Sequence, residues 1–360
     1  MTKPTVIDLF SGCGGISWGL QKSGFDVLAG VDSWRPALKT FAYNHPDSKG
    51  VQADLTTYTP QQFSIDTHIE IGEVDCIVGD PPCQGFSKNI PASYRFLEDP
   101  QNLLFREFLD FVAYFRPKAV LMENVAEIYD AYHGAVREEI IQTLSELGYS
   151  SAAKVLTAAD YGVPQMRRRC FIVASRDTIT PDFPSPSHGS KSIRDLFNPI
   201  EKYWSAWEAI SDLSILENGD GHEPMHYSME SNNVYQAEMR GSMTHLYDHI
   251  TRKLNPTQYA RISSINPGQG IKDLPDELRP KSGYSGAYGR LDFENPAPTI
   301  TRWVFHPGSG RFAHPKEKRM ITTREVARLQ SFSDDFRFIG TYGELKQKQH
   351  DYNQRLCHLK

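Results

Sequence analysis

The strongest constraint on this chain is an alternation. Along residues 5–175, short apolar runs take turns with stretches whose apolar residues recur at helical spacing. The pattern predicts strands at Thr5–Leu9, Asp26–Val31, Val74–Val78 and Ala119–Met122. Between them it predicts helices at Gly15–Lys22, Arg35–Asn44, Leu103–Phe115 and Ala135–Leu147. Strands separated by helices pair side by side in one direction, so the fold class is α/β, a doubly wound and mostly parallel Rossmann-like sheet. Two more β-rich stretches, Tyr149–Thr157 and Arg169–Ala174, bracket the turn "YGVPQMRRR". From about Pro181 to Gly289 the periodicity lapses into segments such as "PDFPSPSHGS", the kind that forms binding loops or stays disordered. It returns at Ile321–Phe332, where "TTREVARLQSF" opens on a threonine suited to an N-cap. Three units are expected: residues 1–180 as the catalytic domain, 181–289 as a linker and a second, smaller irregular domain, and 290–360 returning toward the first.

Composition excludes several classes. No apolar run approaches the roughly 20 residues that span a bilayer. The opening "MTKPTVID" lacks the apolar core of a signal peptide, so a cytoplasmic protein with no membrane partner is expected. Cys13, Cys76, Cys83, Cys170 and Cys357 are dispersed without C-x-x-C spacing, which argues against a disulfide framework and against a metal site. Residues 1–160 carry 12 Lys+Arg against 21 Asp+Glu, and residues 161–360 carry 27 against 23, so −9 and +4 make up the net −5. That asymmetry is either chance or an acidic half holding a small molecule beside a basic half facing phosphates.

"VIDLFSGCGGISWGL" sets a glycine cluster after the first strand and before a helix, where free N–H groups and a close backbone favour a nucleotide-like ligand. Ser17 stands where a dinucleotide fingerprint has its third glycine, which weakens a pyrophosphate reading. Asp32, 17 residues after Gly15, is placed to accept bonds from ribose hydroxyls. Asp54, in "ADLTTY", is either a solvated loop residue or a partner for an adenine amino group. Together they describe a pocket for adenosine without a pyrophosphate, which S-adenosyl-L-methionine fits.

In "GDPPCQGFS", Pro81 and Pro82 end a strand and fix the direction of Cys83. "LMENV" ends another strand with Glu123, and in a parallel sheet all carboxyl ends open on one edge, so the two converge. A thiolate beside a carboxyl group suits covalent attack on an electron-poor ring. Arg167 and Arg169 alternate, share a face, and are placed to lower the thiol's pKa and to bind a phosphate or base oxygen.

With these residues in hand, the chain resembles the DNA (cytosine-5) methyltransferases. "DLFSGCGG", "GDPPCQGFS", "ENV", "YGVPQMRRR" and "YGRLDFENPAPTITRWVFHPGSGRFAHP" with "TTREVARLQSF" are similar to that family's motifs and stand in its order. The resemblance implies a methyltransferase sheet with a target-recognition domain, acting on double-stranded DNA. Cys83 would attack carbon 6 of a flipped cytosine, Glu123 would hold N3, and Arg167 and Arg169 would orient the base. Phe10, Gly12, Cys13, Gly14, Gly15, Asp32, Ser33, Asp54, Leu55, Pro82 and Leu104 would line the S-adenosyl-L-methionine pocket. Ser87, Gln165, His245, His249, Arg252, Lys253 and Arg261 are the candidate DNA contacts, and residues 88–102 a lid. It also implies a nucleoid-associated modification enzyme with a cognate restriction endonuclease as genetic partner. An RNA cytosine-5 methyltransferase, a catalytically impaired DNA-binding homologue and a glycine-loop oxidoreductase are the competing readings.

Two departures stand out. Ser33 follows Asp32 where the family has a bulky apolar residue, leaving Trp34 to cover the adenine. After "SFSDDFRFIGTYGELKQKQ" the family continues into a Gly-Asn helix beside the first strand, whereas here "HDYNQRLCHLK" follows. The chain therefore reads as truncated, as binding cofactor weakly, or as taking that helix from a second polypeptide.

Overall fold

The computed structural model describes residues 2–82, 104–177, 179–191, 199–281, 283, 285–301 and 303–339. Cys83, Ser87, the 88–102 segment and the 340–360 tail lie outside the described residues. The first half is built from β1 (Thr5–Leu9), α1 (Gly15–Lys22), β2 (Asp26–Asp32), α2 (Arg35–Asn44), β3 (Lys49–Gln52) and α3 (Pro60–Thr67). It continues through β4 (Cys76–Gly79), α4 (Leu104–Phe115), β5 (Ala119–Val125), α5 (Ala135–Glu146), β6 (Ser150–Thr157), β7 (Gln165–Met166) and β8 (Arg168–Ser175).

Seven of these strands form one sheet in the order β3-β2-β1-β4-β5-β8-β6. Pairing is parallel from β3 to β5, while β8 runs antiparallel to both β5 and β6. The order reverses between β1 and β4, the switch point at which a doubly wound sheet opens a crevice at its carboxyl edge. Registers Leu9↔Gly79 and Gly79↔Met122 bring the ends of β1, β4 and β5 level. Gly79 has to be glycine, because a Cβ there would lie 2.4 Å from the Leu9 carbonyl oxygen.

Strand alternation sorts the side chains. Ile7, Leu9, Ile77, Val120, Met122, Cys170 and Ile172 join a core closed by α3, α4 and α5. Phe63 meets Phe111 and Phe115 edge-on there, with ring centres 5.6 and 5.7 Å apart. Val6, Cys76 and Val78 face the other way, against Leu38 and Phe41 of α2 and Ile16 and Leu20 of α1. Buried aliphatic and aromatic side chains of this kind stabilise by about 1.5–3 kcal/mol each.

The second half has short helices, α6 (Ala206–Ile210), α7 (Val234–Arg240), α8 (Pro256–Ser263) and α9 (Thr323–Arg328), and two- or three-residue strands. The expected threonine cap is present: Thr322 and Glu325 form a reciprocal capping box at the start of α9. The segment after α9 returns to the sheet, where Trp18 of α1 packs edge-on to Phe336 and Asn44 of α2 bonds to Arg337. In the sheet half, β3 as an explicit strand and α3 were not anticipated. Both carry little apolar signal: three of the four β3 residues are exposed, and α3 buries Phe63 and Thr67 alone.

Candidate active site

The loop after β1 departs from right-handed backbone three times, at Phe10 (φ 59°), Gly12 (φ 53°) and Gly14 (φ 88°). A Cβ on Gly14 would also fall 2.7 Å from His45 Nε2, so glycine there lets the loop sit directly on α2. Asp32 closes the loop from the end of β2. Its Oδ2 accepts from the Gly12 N–H at 2.9 Å and its Oδ1 from the Trp34 N–H at 2.7 Å. Cys13 is fully buried beneath the loop, Gly15 is half-buried, Ser33 is exposed and Trp34 is half-buried beside Asp32. Farther along the same edge, Asp54 is exposed and turns Oδ1 back to the N–H and hydroxyl of Thr56, at 3.0 and 2.8 Å. Leu55 is buried next to it, and half-buried Leu104 opens α4.

At the neighbouring strand ends Glu123, Arg167 and Arg169 meet. Glu123, on β5, is buried, and its Oε1 lies 2.8 Å from Arg169 Nε and 3.9 Å from Arg167 Nη2. The antiparallel pairing of β5 with β8, Val125 opposite Arg169, makes this contact possible. Neither guanidinium nitrogen is aligned for a hydrogen bond, so the attraction is ionic. Burial first, then the charge of Arg169, pulls the Arg167 guanidinium down to about 10. Asn124 Nδ2 donates to the Pro81 carbonyl at 2.9 Å, tying the acid strand to the backbone two residues before Cys83. Pro82, half-buried, is the last described residue of that loop. The described cysteines Cys13, Cys76 and Cys170 are all buried. Burial pushes the Cys76 and Cys170 thiols up to about 12, far from a reactive thiolate.

The expected DNA contacts divide. Gln165 is fully buried and structural: its Nε2 donates to Leu329 O at 3.1 Å and its Oε1 accepts from Ile300 N–H at 3.0 Å. His249 is also buried, with Nδ1 2.9 Å from Thr322 Oγ1 and Nε2 2.8 Å from Ser214 O. Both therefore correct the expectation, since neither side chain reaches the surface. Arg261 is half-engaged internally, donating to Leu278 O at 2.7 Å and Tyr288 Oη at 2.8 Å. Lys253 is exposed, Arg252 is half-buried near Phe305 O, and His245 packs tilted against His226 with ring centres 4.7 Å apart.

A third set went unpredicted. Arg319, Arg324 and Arg328 are fully buried, and Arg328 bonds Asp212 at 2.8 Å and Asp334 at 2.7 Å. Arg319 grips Glu325 with two bonds, at 2.7 and 2.8 Å. The available signal was two arginines four apart, and so on one face of a helix, in "TREVARLQSF". Among the described residues no group of three His, Cys, Asp or Glu has metal-binding geometry.

The sheet, its switch-point loop and the ringed acid define an α/β enzyme of methyltransferase architecture. The same fold is found in a solved prophage-encoded protein from E. coli described as a DNA modification methyltransferase, with TM-score 0.74, 24% identity, and 98% of this chain and 94% of that one covered. The family model of C-5 cytosine-specific DNA methylases matches residues 4–350, and the chain belongs to that family. The type II methyltransferase M.DdeI of Desulfomicrobium norvegicum is 32% identical over 96% of this chain and 82% of its own length. M1.HphI of Haemophilus parahaemolyticus is 35% identical, covering 93% and 79% respectively. The protein is a DNA (cytosine-5) methyltransferase.

Proposed function

We propose that the chain methylates carbon 5 of a cytosine within one double-stranded DNA sequence, by a covalent adduct at Cys83. The observation that carries this reading is Glu123 ringed by Arg169 and Arg167 and tied through Asn124 to the Cys83 loop. S-adenosyl-L-methionine fits the switch-point loop: Asp32 braces the glycine turn, and Ser17, fully buried, occupies the place of the third dinucleotide glycine. Phe10, Gly12, Gly14, Gly15 and Asp32 would hold it, with Asp54, Leu55 and Leu104 at the adenine end. Once bound, that cofactor supplies a methyl group on a sulfonium.

The chain's own residues do the rest. The Cys83 thiolate forms a bond to carbon 6 of a base swung out of the stack, which costs a few kcal/mol of unstacking. Electron density moves onto carbon 5 and N3. Glu123 meets the charge at N3 with a proton, and Arg167 and Arg169 hold Glu123 and the base in place. Carbon 5, now enamine-like, accepts the methyl. Its hydrogen leaves as a proton to solvent, N3 gives its proton back to Glu123, and elimination returns Cys83 as the thiolate. Residues 181–289 would read the sequence, with Lys253 and Arg252 on phosphates. Location on the nucleoid and a cognate restriction endonuclease, as genetic partner, follow from that role.

A second polypeptide belongs to the same proposal. Leu121, Phe171, Val173, Ala152 and Leu156, on one face of β5, β8 and β6, are half-buried, while Val120, Met122, Cys170 and Ile172 on the opposite face are buried. An apolar sheet face of this kind calls for a helix to cover it. Supplying duplex DNA and RNA with labelled S-adenosyl-L-methionine, then bisulfite-sequencing the DNA, tests the reading. Label in DNA at one sequence context supports it; label in RNA alone, or none in DNA, overturns it.

A further inference from the structure

Gln165 opens β7, the short strand that leads into the arginine pair, and it is fully buried. Its amide is used at both ends, and both partners are main-chain groups of the second half. Nε2 donates to the Leu329 carbonyl, just past α9, at 3.1 Å, and Oε1 accepts from the Ile300 N–H at 3.0 Å. Around this amide the two halves meet through a narrow seam. Gln165 and Met166 pair in parallel with Ala297 and Pro298. The Ala297 N–H donates to the Pro164 carbonyl at 2.9 Å, and the Thr299 hydroxyl to the Met166 carbonyl at 3.0 Å. An apolar side chain of similar length at 165 would leave a buried carbonyl and a buried N–H without that amide.

The clamp lies two residues from the chemistry. The Gln165 carbonyl accepts from the Arg167 N–H at 2.8 Å, and the Arg167 carbonyl from the Ala158 N–H at 2.8 Å. Arg167 Nη2 reaches Glu123 Oε1 at 3.9 Å, a separation that a small shift would undo, and it is buried with no hydrogen bond among the described residues. Arg169 Nε, 2.8 Å from the same oxygen, is likewise unaligned, and its Nη1 bonds back to the Arg168 carbonyl. Ionic attraction without a hydrogen bond has little direction, so it does not fix where Arg167 stands. The main chain does, and Gln165 holds the main chain. We propose that Gln165 is a positioning residue, the clamp through which the second half holds Arg167, and with it Arg169, against Glu123. The inference rests on the reading of those three residues as the site that meets the cytosine. It makes the half that engages DNA set the geometry of the half that does the chemistry. Misplacing a group by about 1 Å slows a step that depends on it by as much as about a hundredfold.

Two measurements on the full chain decide the matter. One is the rate of covalent adduct formation, enzyme in excess, with S-adenosyl-L-methionine and duplex DNA copied with 5-fluorocytosine in place of cytosine. The other is affinity for an unmodified duplex of the same sequence, read by fluorescence anisotropy. Gln165→Met, similar in length and uncharged, should slow the adduct about tenfold or more while changing affinity less than about twofold. Gln165→Glu keeps the acceptor for Ile300 and has a donor for Leu329 only when protonated, which burial favours. Its rate relative to the native chain should therefore climb from about a tenth at about pH 9 toward parity at about pH 6. A clamp that merely stabilises the fold would lower the melting temperature without this split. Native adduct rates in both variants, or rate and affinity lost together in Gln165→Met, overturn the proposal while leaving the site reading intact. If Gln165→Met fails to fold, the acid recovery of Gln165→Glu decides alone, and its absence overturns the proposal. No adduct with the native chain removes the site reading and this inference together.

Discussion

Phe63 and Arg328 are both fully buried, one in each half of the molecule, and they are held in opposite ways. Phe63 sits in hydrocarbon, between two phenylalanine rings of α4 and the sheet. Arg328 sits in charge: Asp212 on one side, Asp334 on the other, and the Ala209 carbonyl at 3.2 Å. The first kind of packing tolerates repacking, because apolar contact has no direction. The second tolerates little, because each guanidinium hydrogen needs an acceptor at a fixed place. The sheet half gives the chemistry a stable floor. The second half, short of regular structure, uses directed ion pairs to hold irregular segments in one arrangement.

Breaking each anchor sharpens the contrast. Arg328→Met should have the largest effect, about 3–5 kcal/mol in urea denaturation, because it removes the guanidinium shared by two buried carboxylates, leaving Asp212 to Arg240 and Asp334 to Tyr227 and Arg324. Adding Asp212→Asn and Asp334→Asn should recover part of the loss, a non-additivity that hydrocarbon packing would not show. Phe63→Ala should cost about 3 kcal/mol and act independently of the Arg328 change.

Acid should separate the halves again. Burial holds the His314 imidazole down to about 3, against an ordinary 6.5, with Glu325 opposing and Arg319, His249 and Arg290 reinforcing. The unfolded chain therefore takes up a proton below pH 6.5 that the folded chain refuses, so stability falls as pH drops, by about 2 kcal/mol at pH 5. His314→Gln should flatten that decline in melts between pH 7 and 5, and a slope unchanged by the substitution would refute it. The smallest effect is expected at Lys22, whose exposed ion pair with Asp335, 2.9 Å, links α1 to the returning segment. Lys22→Met should shift stability by less than about 0.5 kcal/mol.

Legibility in the sequence follows the same divide. Helices α1 and α2 and strand β1 fall where the periodicity places them, since Ile16 and Leu20 of α1 and Leu38 and Phe41 of α2 pack on the sheet and β1 is an apolar run buried on both faces. The acid and its arginines were legible because strand alternation puts Arg167 and Arg169 on one side and the sheet order puts Glu123 beside them. His249 and Gln165 were misread as surface contacts because a polar side chain shows no sign in sequence of being satisfied inside. Their partners, Thr322 and Ser214, Leu329 and Ile300, lie 35–164 residues away. The buried arginines escaped notice for the same reason: Asp212 is 116 residues from Arg328.

The central claim is that Cys83, Glu123, Arg167 and Arg169 work as one site on an extruded cytosine. Duplex DNA bearing 5-fluorocytosine at the target, incubated with the enzyme and S-adenosyl-L-methionine, tests it most directly, because fluorine cannot leave as a proton. A denaturation-resistant complex mapping to Cys83, lost in Cys83→Ser and strongly reduced in Glu123→Gln, is the predicted result. A complex that survives intact in Cys83→Ser would contradict it.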